Sequence, residues 1–168
     1  MYRLCQFVGA LMASVQGKEW VLVEGLLAPS QCGLFQSMPW CDQRHGADLV
    51  RALQRKGYRD LALLQAALLH DVGKVGQLRL WHRVAVVLLG WFAPGGLRRL
   101  AEGRPGSWRY PFFVHLNYAQ LGAKRVRKTG CDCMVVDLIR RHHEPLLAPA
   151  GCGQDQLLAA LQAADRRA

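Results

Sequence analysis

Five of the six histidines fall in or at the ends of predicted helices with aspartates close by, and these side chains can ligate metal ions. Imidazole nitrogens and carboxylate oxygens together suit transition metals such as Fe, Mn, Zn, Co or Ni. Adjacent residues on a helix point about 100° apart, so several helices must converge to enclose one ion. The candidate ligands are His45, His70, Asp71, His115, His142, His143 and Asp165.

Each of these residues also has a simpler interpretation. A single histidine at a helix end is more often a surface or capping group than a ligand, and Asp165 is compatible with an ordinary charged end, "DRR". Asp71 differs, because a carboxylate at the C-terminal end of a helix opposes the negative end of the helix dipole and favours a cation nearby. The metal hypothesis therefore rests on the joint order of the residues, and His82 is interpreted as a surface or packing residue.

The order of the candidate ligands resembles that of one protein family. His45, then "HDVGK" at 70–74, then Asp165 at the end of "LLAALQAAD" is similar to the H…HD…D signature of the HD-domain metal-dependent phosphohydrolases. The segment 70–74 is similar to the HDIG variant of that signature, with Val72 in place of isoleucine. The similarity spans about Met38 to Asp165, which is most of the chain.

His115 and "HHE" at 142–144 resemble the additional ligands of the binuclear members of this family. The resemblance implies two divalent transition-metal ions, with Fe or Mn favoured and Zn, Co, Ni and Mg as alternatives. Asp71 suits the bridging position, because each of its two oxygens can bind one ion. By the resemblance, one ion is held by His45, His70, Asp71 and Asp165, and the second by Asp71, His115, His142 and His143.

The resemblance further implies an enzyme that hydrolyses a phosphate ester of a nucleotide or another small phosphorylated metabolite through a metal-activated hydroxide. Two ions about 3.5 to 4 Å apart can activate a shared water and neutralise charge on the phosphoryl oxygens. The GYP tripeptide that marks the cyclic di-GMP phosphodiesterases is missing after "HHEP", so that specificity is not carried over. Asp71 and Lys74 are the predicted catalytic residues, and Lys74, Arg140 and Arg141 are the predicted phosphate contacts.

Two functions from other classes also fit the sequence. The chain has 22 Lys and Arg residues against 12 Asp and Glu, a net charge of +10, which suits a metal-bound regulatory module that senses a nucleotide or binds RNA. No RNA-binding motif with stacking aromatics is present, so nucleic acid is a less favoured partner than a small phosphorylated substrate. A di-iron oxygenase is the other alternative, since some relatives of the HD-domain proteins carry out that chemistry.

Helices must position these residues, and helical periodicity dominates the chain. Its 168 residues, half of them hydrophobic, fit a single compact all-α domain. The resemblance implies an HD-domain helical bundle of roughly seven helices, with an N-terminal helical extension (1–37) before an HD core (38–165). Helices are predicted near Tyr2–Val15, Glu19–Leu27, Asp42–Lys56, Leu61–Asp71, Leu78–Phe92, Phe112–Lys128, Asp132–His143 and Gln154–Asp165. The predicted caps are Asp42, Asp60 and Asp132 at helix starts and Gly57 at a helix end. "APS", "APGG" and 102–111 are predicted breaks.

The most apolar segment, Val84–Phe92, is about half of the roughly 20 residues that a membrane-spanning helix needs, so no transmembrane segment is predicted. A buried core helix is favoured for this segment over an interfacial anchor, although its basic flanks resemble those of an anchor.

The six cysteines form no CxxC pair and no secretory leader is recognised, which predicts reduced thiols in a cytoplasmic protein. The oligomeric state stays open.

Overall fold

The computed structural model describes residues 17–74, 80–146 and 153–167, and over these residues the fold is all-α, as predicted. This part of the chain forms nine α-helices, more than the roughly seven expected. The helices are α1 (Gly17–Glu24), α2 (Pro29–Gln36), α3 (Trp40–Arg55), α4 (Leu61–Leu69), α5 (Leu80–Phe92), α6 (Pro94–Leu100), α7 (Tyr110–Arg127), α8 (Cys133–Arg141) and α9 (Gly153–Asp165), with a 3-10 turn at Val72–Lys74. The predicted helix Tyr2–Val15 lies outside the described residues.

The sequence analysis missed the two helices α2 and α6, and both begin with a proline. Pro29 and Pro94 stand in the first turns of these helices. Proline suits that position, because its missing N–H would have no helical partner there and its φ is already helical. The prediction that a helix ends at "APGG" is confirmed, since α5 ends at Phe92, whereas α1 already ends at Glu24, before "APS". In both segments the proline begins a further helix, which the sequence analysis did not predict.

Local capping signals predicted other helix ends correctly. The Asp60 carboxylate accepts a hydrogen bond from the Leu63 amide at 2.9 Å and begins α4. Asp132 likewise accepts one from the Met134 amide at 2.7 Å and begins α8. Gly57 follows α3 with a φ of 89°, a left-handed conformation that glycine adopts without steric cost. These three predictions needed only neighbouring residues, and all three are confirmed.

Asp42 was predicted wrongly as the N-cap of α3. The helix begins at Trp40, after Pro39 in an extended conformation with φ −52° and ψ 137°. Asp42 therefore lies inside the first helical turn, and only 7% of the residue is exposed. Proline favours an extended residue at the junction, so the helix starts earlier than a side-chain cap would indicate.

The helix α4 lies at the centre of the fold. Eight of its nine residues are apolar, and it contacts α2, α3, α8 and α9. A helix with this pattern is buried over most of its surface, and here the exposed part is its first residue, Leu61. Val23 and Phe35, on α1 and α2, belong to the same core cluster and are fully buried. The described part of the predicted extension therefore packs with the rest, and the core fixes α4 so that its end can position His70 and Asp71.

The helices α5 and α6 form a smaller apolar cluster with the start of α7, around Val86, Leu97 and Phe112. Val86 is 5% exposed, but Trp91 and Phe92 are 83% and 80% exposed, so the predicted core helix at Val84–Phe92 is buried only in part. The apolar segment therefore extends beyond the part of α5 that packs against α6 and α7. Among the described helices, none is both long and apolar enough to cross a membrane.

The helices α3 and α4 cross closely at Gly46. A Cβ atom at this position would lie 3.0 Å from the carbonyl oxygen of Leu68 and 3.2 Å from that of Ala67. Both atoms belong to the backbone of a buried helix, so they can yield only if α4 moves. Glycine at position 46 therefore allows the neighbouring His45 to approach the end of α4, where His70 lies.

Gly46→Ala is expected to destabilise the protein by about 1 to 3 kcal/mol, because the added methyl group overpacks the contact between α3 and α4. Gly33→Ala is the matched control: Gly33 is also helical, and a Cβ there would meet no described atom within 4 Å. That control should be stabilised by about 0.5 to 1 kcal/mol. Urea unfolding measures both, and equal midpoints for the two variants would contradict the close crossing.

Candidate metal centre

Helix ends bring most of the predicted ligands together. His70 and His142 are the C-cap residues of α4 and α8. Asp165 is the last residue of α9, whereas His45 lies inside α3. The apolar middle parts of these helices are buried, and their polar end residues meet. A chain with many hydrophobic residues can assemble a polar site in this manner.

Three of the predicted ligands form a compact group. His45 Nε2 lies 2.9 Å from Asp165 Oδ1, and His70 Nε2 lies 3.8 Å from the same oxygen. One donor atom from each of the three residues falls within 4.8 Å of the other two. Asp71 Oδ1 adds a fourth candidate, 3.5 Å from His70 Nε2. Two nitrogens and two carboxylate oxygens of this kind form a ligand set that a divalent transition metal accepts.

The backbone orients the two buried histidines. His70 Nδ1 lies 3.0 Å from the Ala67 carbonyl oxygen, and His142 Nδ1 lies 2.6 Å from that of Ile139. A carbonyl can only accept, so each Nδ1 carries the proton and donates it. In the neutral imidazole Nε2 then keeps its lone pair, which is the tautomer that a metal-binding histidine needs.

Three buried side-chain atoms make no hydrogen bond to any residue within the described ranges, and two of them belong to the candidate site. These two are Asp71 Oδ1 and His142 Nε2, and both residues are only 4% exposed; the third is Arg109 Nε, outside the ligand group. A buried acceptor without a partner costs about 1 to 3 kcal/mol, so such atoms need an explanation. Both have a lone pair that a cation can use. The residues therefore fit a bound metal ion better than they fit a purely structural cluster.

The charges of the site keep both carboxylates ionised. Burial raises the pKa of Asp71, but the nearby His70 and Lys74 outweigh this effect and hold it well below its usual range. Burial also opposes the ionised form of Asp165, but the hydrogen bond from His45 and the charge of His70 lower its pKa to about 2. Both residues are thus in the form that ligates a metal at neutral pH.

The pKa values of His142 and His45 are shifted in opposite directions. Burial, followed by the charges of His70 and His143, lowers the pKa of His142 to about 3, so this residue is neutral at neutral pH. Burial also lowers the pKa of His45, but the hydrogen bond with Asp165 outweighs it and raises the pKa overall. An ion at this position would take the place of the proton that His45 and Asp165 hold.

The second predicted ligand set does not form such a compact group in the part of the chain that the structure describes. Asp71 Oδ2 accepts a hydrogen bond from Lys74 Nζ at 2.6 Å, and the Tyr118 hydroxyl pairs with His143 Nε2. The His115 ring lies on α7 with its centroid 6.3 Å from that of Tyr118. The second ion stays a prediction, since two of its proposed ligands have protein partners.

Tyr118 is the residue of the site that the sequence analysis missed. Lys74 Nζ lies 4.3 Å from the centre of its ring, at the distance of a cation–π contact. Burial and the charges of Asp71 and Asp165 raise the pKa of Tyr118 well above its usual range, so the hydroxyl keeps its proton. The one sequence signal was its position three residues after His115, on the same face of a helix.

The predicted phosphate contacts Arg140 and Arg141 are engaged with carboxylates. Arg140 Nη2 lies 2.6 Å from Asp137, and Arg140 Nη1 lies 3.3 Å from Glu144. Arg141 Nη2 lies 3.0 Å from Asp155 and so ties the end of α8 to the start of α9. A phosphate would have to displace these partners, which favours a structural role for both arginines.

Comparisons with known proteins do not identify the chain: no family model, no curated protein and no solved structure matches it. The assignment to the HD-domain phosphohydrolases therefore stays a prediction. It rests on the order of the ligands in the sequence and on the geometry of the site described above.

Proposed function

We propose that the protein is a metal-dependent phosphohydrolase of the HD-domain type, which acts on a phosphate ester of a nucleotide or another small phosphorylated metabolite. One observation carries the proposal. Donor atoms of His45, His70 and Asp165 converge within 4.8 Å beside a buried oxygen of Asp71 that makes no hydrogen bond to a described residue. A structural cluster would gain nothing from leaving that oxygen without a partner.

In this proposal His45, His70, Asp71 and Asp165 hold a divalent ion. Such an ion, when bound, supplies Lewis acidity: it makes water more acidic and offsets charge on phosphoryl oxygens. The chain supplies the orientation, because the carbonyl behind His70 Nδ1 fixes the direction of Nε2. The ionised carboxylates supply the negative charge that retains the cation.

Lys74 is the proposed phosphate contact on the chain itself. Its ammonium group lies 2.6 Å from Asp71 Oδ2 and over the Tyr118 ring, and 19% of its side chain is exposed. The hydrogen bond to Asp71 uses one of its three N–H groups, so others are available for an anion. Lys74 thus holds Asp71 in place and adds positive charge where a phosphate would bind.

Substrate class is tested by a screen of metal-reconstituted protein (Mn, Fe(II), Co, Ni, Zn and Mg) against mononucleotides, cyclic dinucleotides and generic phosphate esters. Phosphate release that depends on the metal and is lost in His45→Ala is the expected result. Nucleotide binding without turnover would favour the regulatory module. Oxygen consumption by the Fe(II) form would favour the oxygenase.

Metal content is expected to reach one ion per chain in protein purified without chelator, because one ligand group is already assembled. A second ion is expected only under metal supplementation, since its ligands Asp71 and His143 must first exchange their partners Lys74 and Tyr118. Elemental analysis measures both stoichiometries. His82→Ala is the control, because the His82 ring packs against Phe112 and is not part of the ligand group. Content well below one ion after supplementation would contradict the proposal.

A further inference from the structure

A cavity opens directly beside the metal ligands. Its volume is about 450 Å³, within the range of about 300 to 1,000 Å³ typical of small-molecule sites. Three predicted ligands line it, His142, His143 and Asp165, and so does the next residue after them on α9, Arg166. A molecule bound at the metal centre would therefore extend into this cavity.

Arg166 adds a positive charge to the cavity, and it makes no ion pair with a described residue. Its side chain is exposed, and its backbone amide donates to the Gln162 carbonyl at 3.2 Å, which continues the helical backbone of α9 by one residue. The cavity is also lined by two carboxylates, Glu144 and Asp165. Arg140 and Arg141 each lie 3.3 Å from Glu144, and Asp165 accepts a hydrogen bond from His45 at 2.9 Å. Both acids thus have partners of their own, whereas Arg166 is available to an anion.

The remaining walls are less polar. Pro145 and Leu146 contribute apolar surface on one side of the cavity. Gln162 donates from Nε2 to the Glu144 carbonyl at 2.8 Å and so holds the segment that carries this wall against α9. The cavity therefore combines a guanidinium, which can bind phosphate in a bidentate manner, with a surface suited to an organic group.

We propose that this cavity is the substrate pocket and that Arg166 is a substrate-binding residue, which binds the phosphate of a small phosphomonoester while Pro145 and Leu146 contact its organic part. The inference rests on the proposed function. It narrows the substrate class to molecules of about mononucleotide size that carry one terminal phosphate. It also replaces Arg140 and Arg141 by Arg166 as the arginine that recognises the substrate.

The test is equilibrium binding to the metal-loaded protein, with the phosphonate analogue of AMP as the probe. A methylene group replaces the ester oxygen in this analogue, so it cannot be hydrolysed there. Arg166→Gln is expected to weaken binding by about tenfold or more, the effect of losing charge-assisted hydrogen bonds to phosphate. Arg167→Gln is the matched control, since Arg167 is the adjacent exposed arginine and does not line the cavity. It should change binding less than twofold.

Two further ligands separate the contribution of the phosphate group to binding from that of the organic part. Inorganic phosphate should lose affinity in Arg166→Gln as the analogue does, and adenosine should bind both variants equally. If Arg166→Gln and Arg167→Gln weakened binding of the analogue equally, the effect would come from the general positive charge of the surface, and the proposal would be overturned. Failure of the wild type to bind either phosphate or the analogue would overturn it as well. Urea unfolding midpoints within error of the wild type establish that both variants are folded.

The outcome for the pocket is distinct from that for the proposed function. Binding that depends on Arg166, in a protein that hydrolyses none of the screened esters, would support the proposed pocket and contradict the proposed hydrolase activity. Hydrolysis of a mononucleotide with an unchanged KM in Arg166→Gln would support the hydrolase activity and contradict the proposed pocket.

Discussion

Asp71→Asn is expected to abolish hydrolysis and to lower the metal content. The amide keeps the shape of the side chain but loses the negative charge, and its buried Oδ1 position makes no hydrogen bond to a described residue that could compensate. In the proposed function, several kcal/mol of transition-state stabilisation would depend on the ion, which corresponds to at least about a thousandfold in rate. Phosphate release and elemental analysis of the same preparation give both readouts.

Two other variants serve as comparisons for Asp71→Asn. Asp48→Asn removes a half-exposed carboxylate on α3 that pairs with Arg44 and Arg51, and it should leave activity and metal content unchanged. Lys74→Ala should keep the metal and lose on the order of a hundredfold in rate, the effect of removing one charge contact to the transition state. Full metal content and near-normal hydrolysis in Asp71→Asn would show that this motif is not the catalytic centre.

Gly73→Ala is expected to cost about 3 kcal/mol of stability or more. A Cβ atom at this position would lie 1.9 Å from the Tyr118 carbonyl oxygen and 2.8 Å from the Gly122 amide nitrogen, both of them backbone atoms of α7. The 3-10 turn would have to move away from α7, which is more severe than ordinary overpacking. Because the same turn directly follows Asp71 and ends at Lys74, metal binding should weaken together with stability.

Gly122→Ala provides a graded comparison for Gly73→Ala. It lies on the opposite side of the same contact, but its Cβ would come no closer than 3.2 Å to the Gly73 nitrogen. We expect a smaller loss, about 1 to 2 kcal/mol. Urea unfolding with and without added metal measures both variants. Stability of Gly73→Ala equal to that of Gly122→Ala would contradict the close approach of the turn to α7.

Much of the fold could be predicted because its signals are local. Asp60 and Asp132 cap their helices through residues two or three positions away, and apolar periodicity marks the helices themselves. The exposed side chains of Trp91 and Phe92 could not be predicted in this way. An apolar run shows that a surface is available for burial, but the number of faces that find a partner depends on how distant helices pack.

The site was predictable to a similar extent. His45, His70 and Asp165 could be proposed together from their order, and the structure places their donor atoms within 4.8 Å. The contact of Lys74 with Tyr118 could not be foreseen, since it depends on the approach of the 3-10 turn to α7. Residue types indicate which atoms can ligate a metal, but packing decides which of them already have a partner.

The long separation of the ligands along the chain has a consequence for protein synthesis. His45 and Asp165 lie 2.9 Å apart in the fold but 120 residues apart in sequence. At about 5 to 20 residues per second, a ribosome needs roughly 6 to 24 seconds to translate this interval. The nascent chain carries His45 throughout that time, and His70 once it has been translated, without their carboxylate partner on α9. The site cannot be loaded in its final form before residue 165 is translated, so a product truncated before that residue would lack one of its ligands.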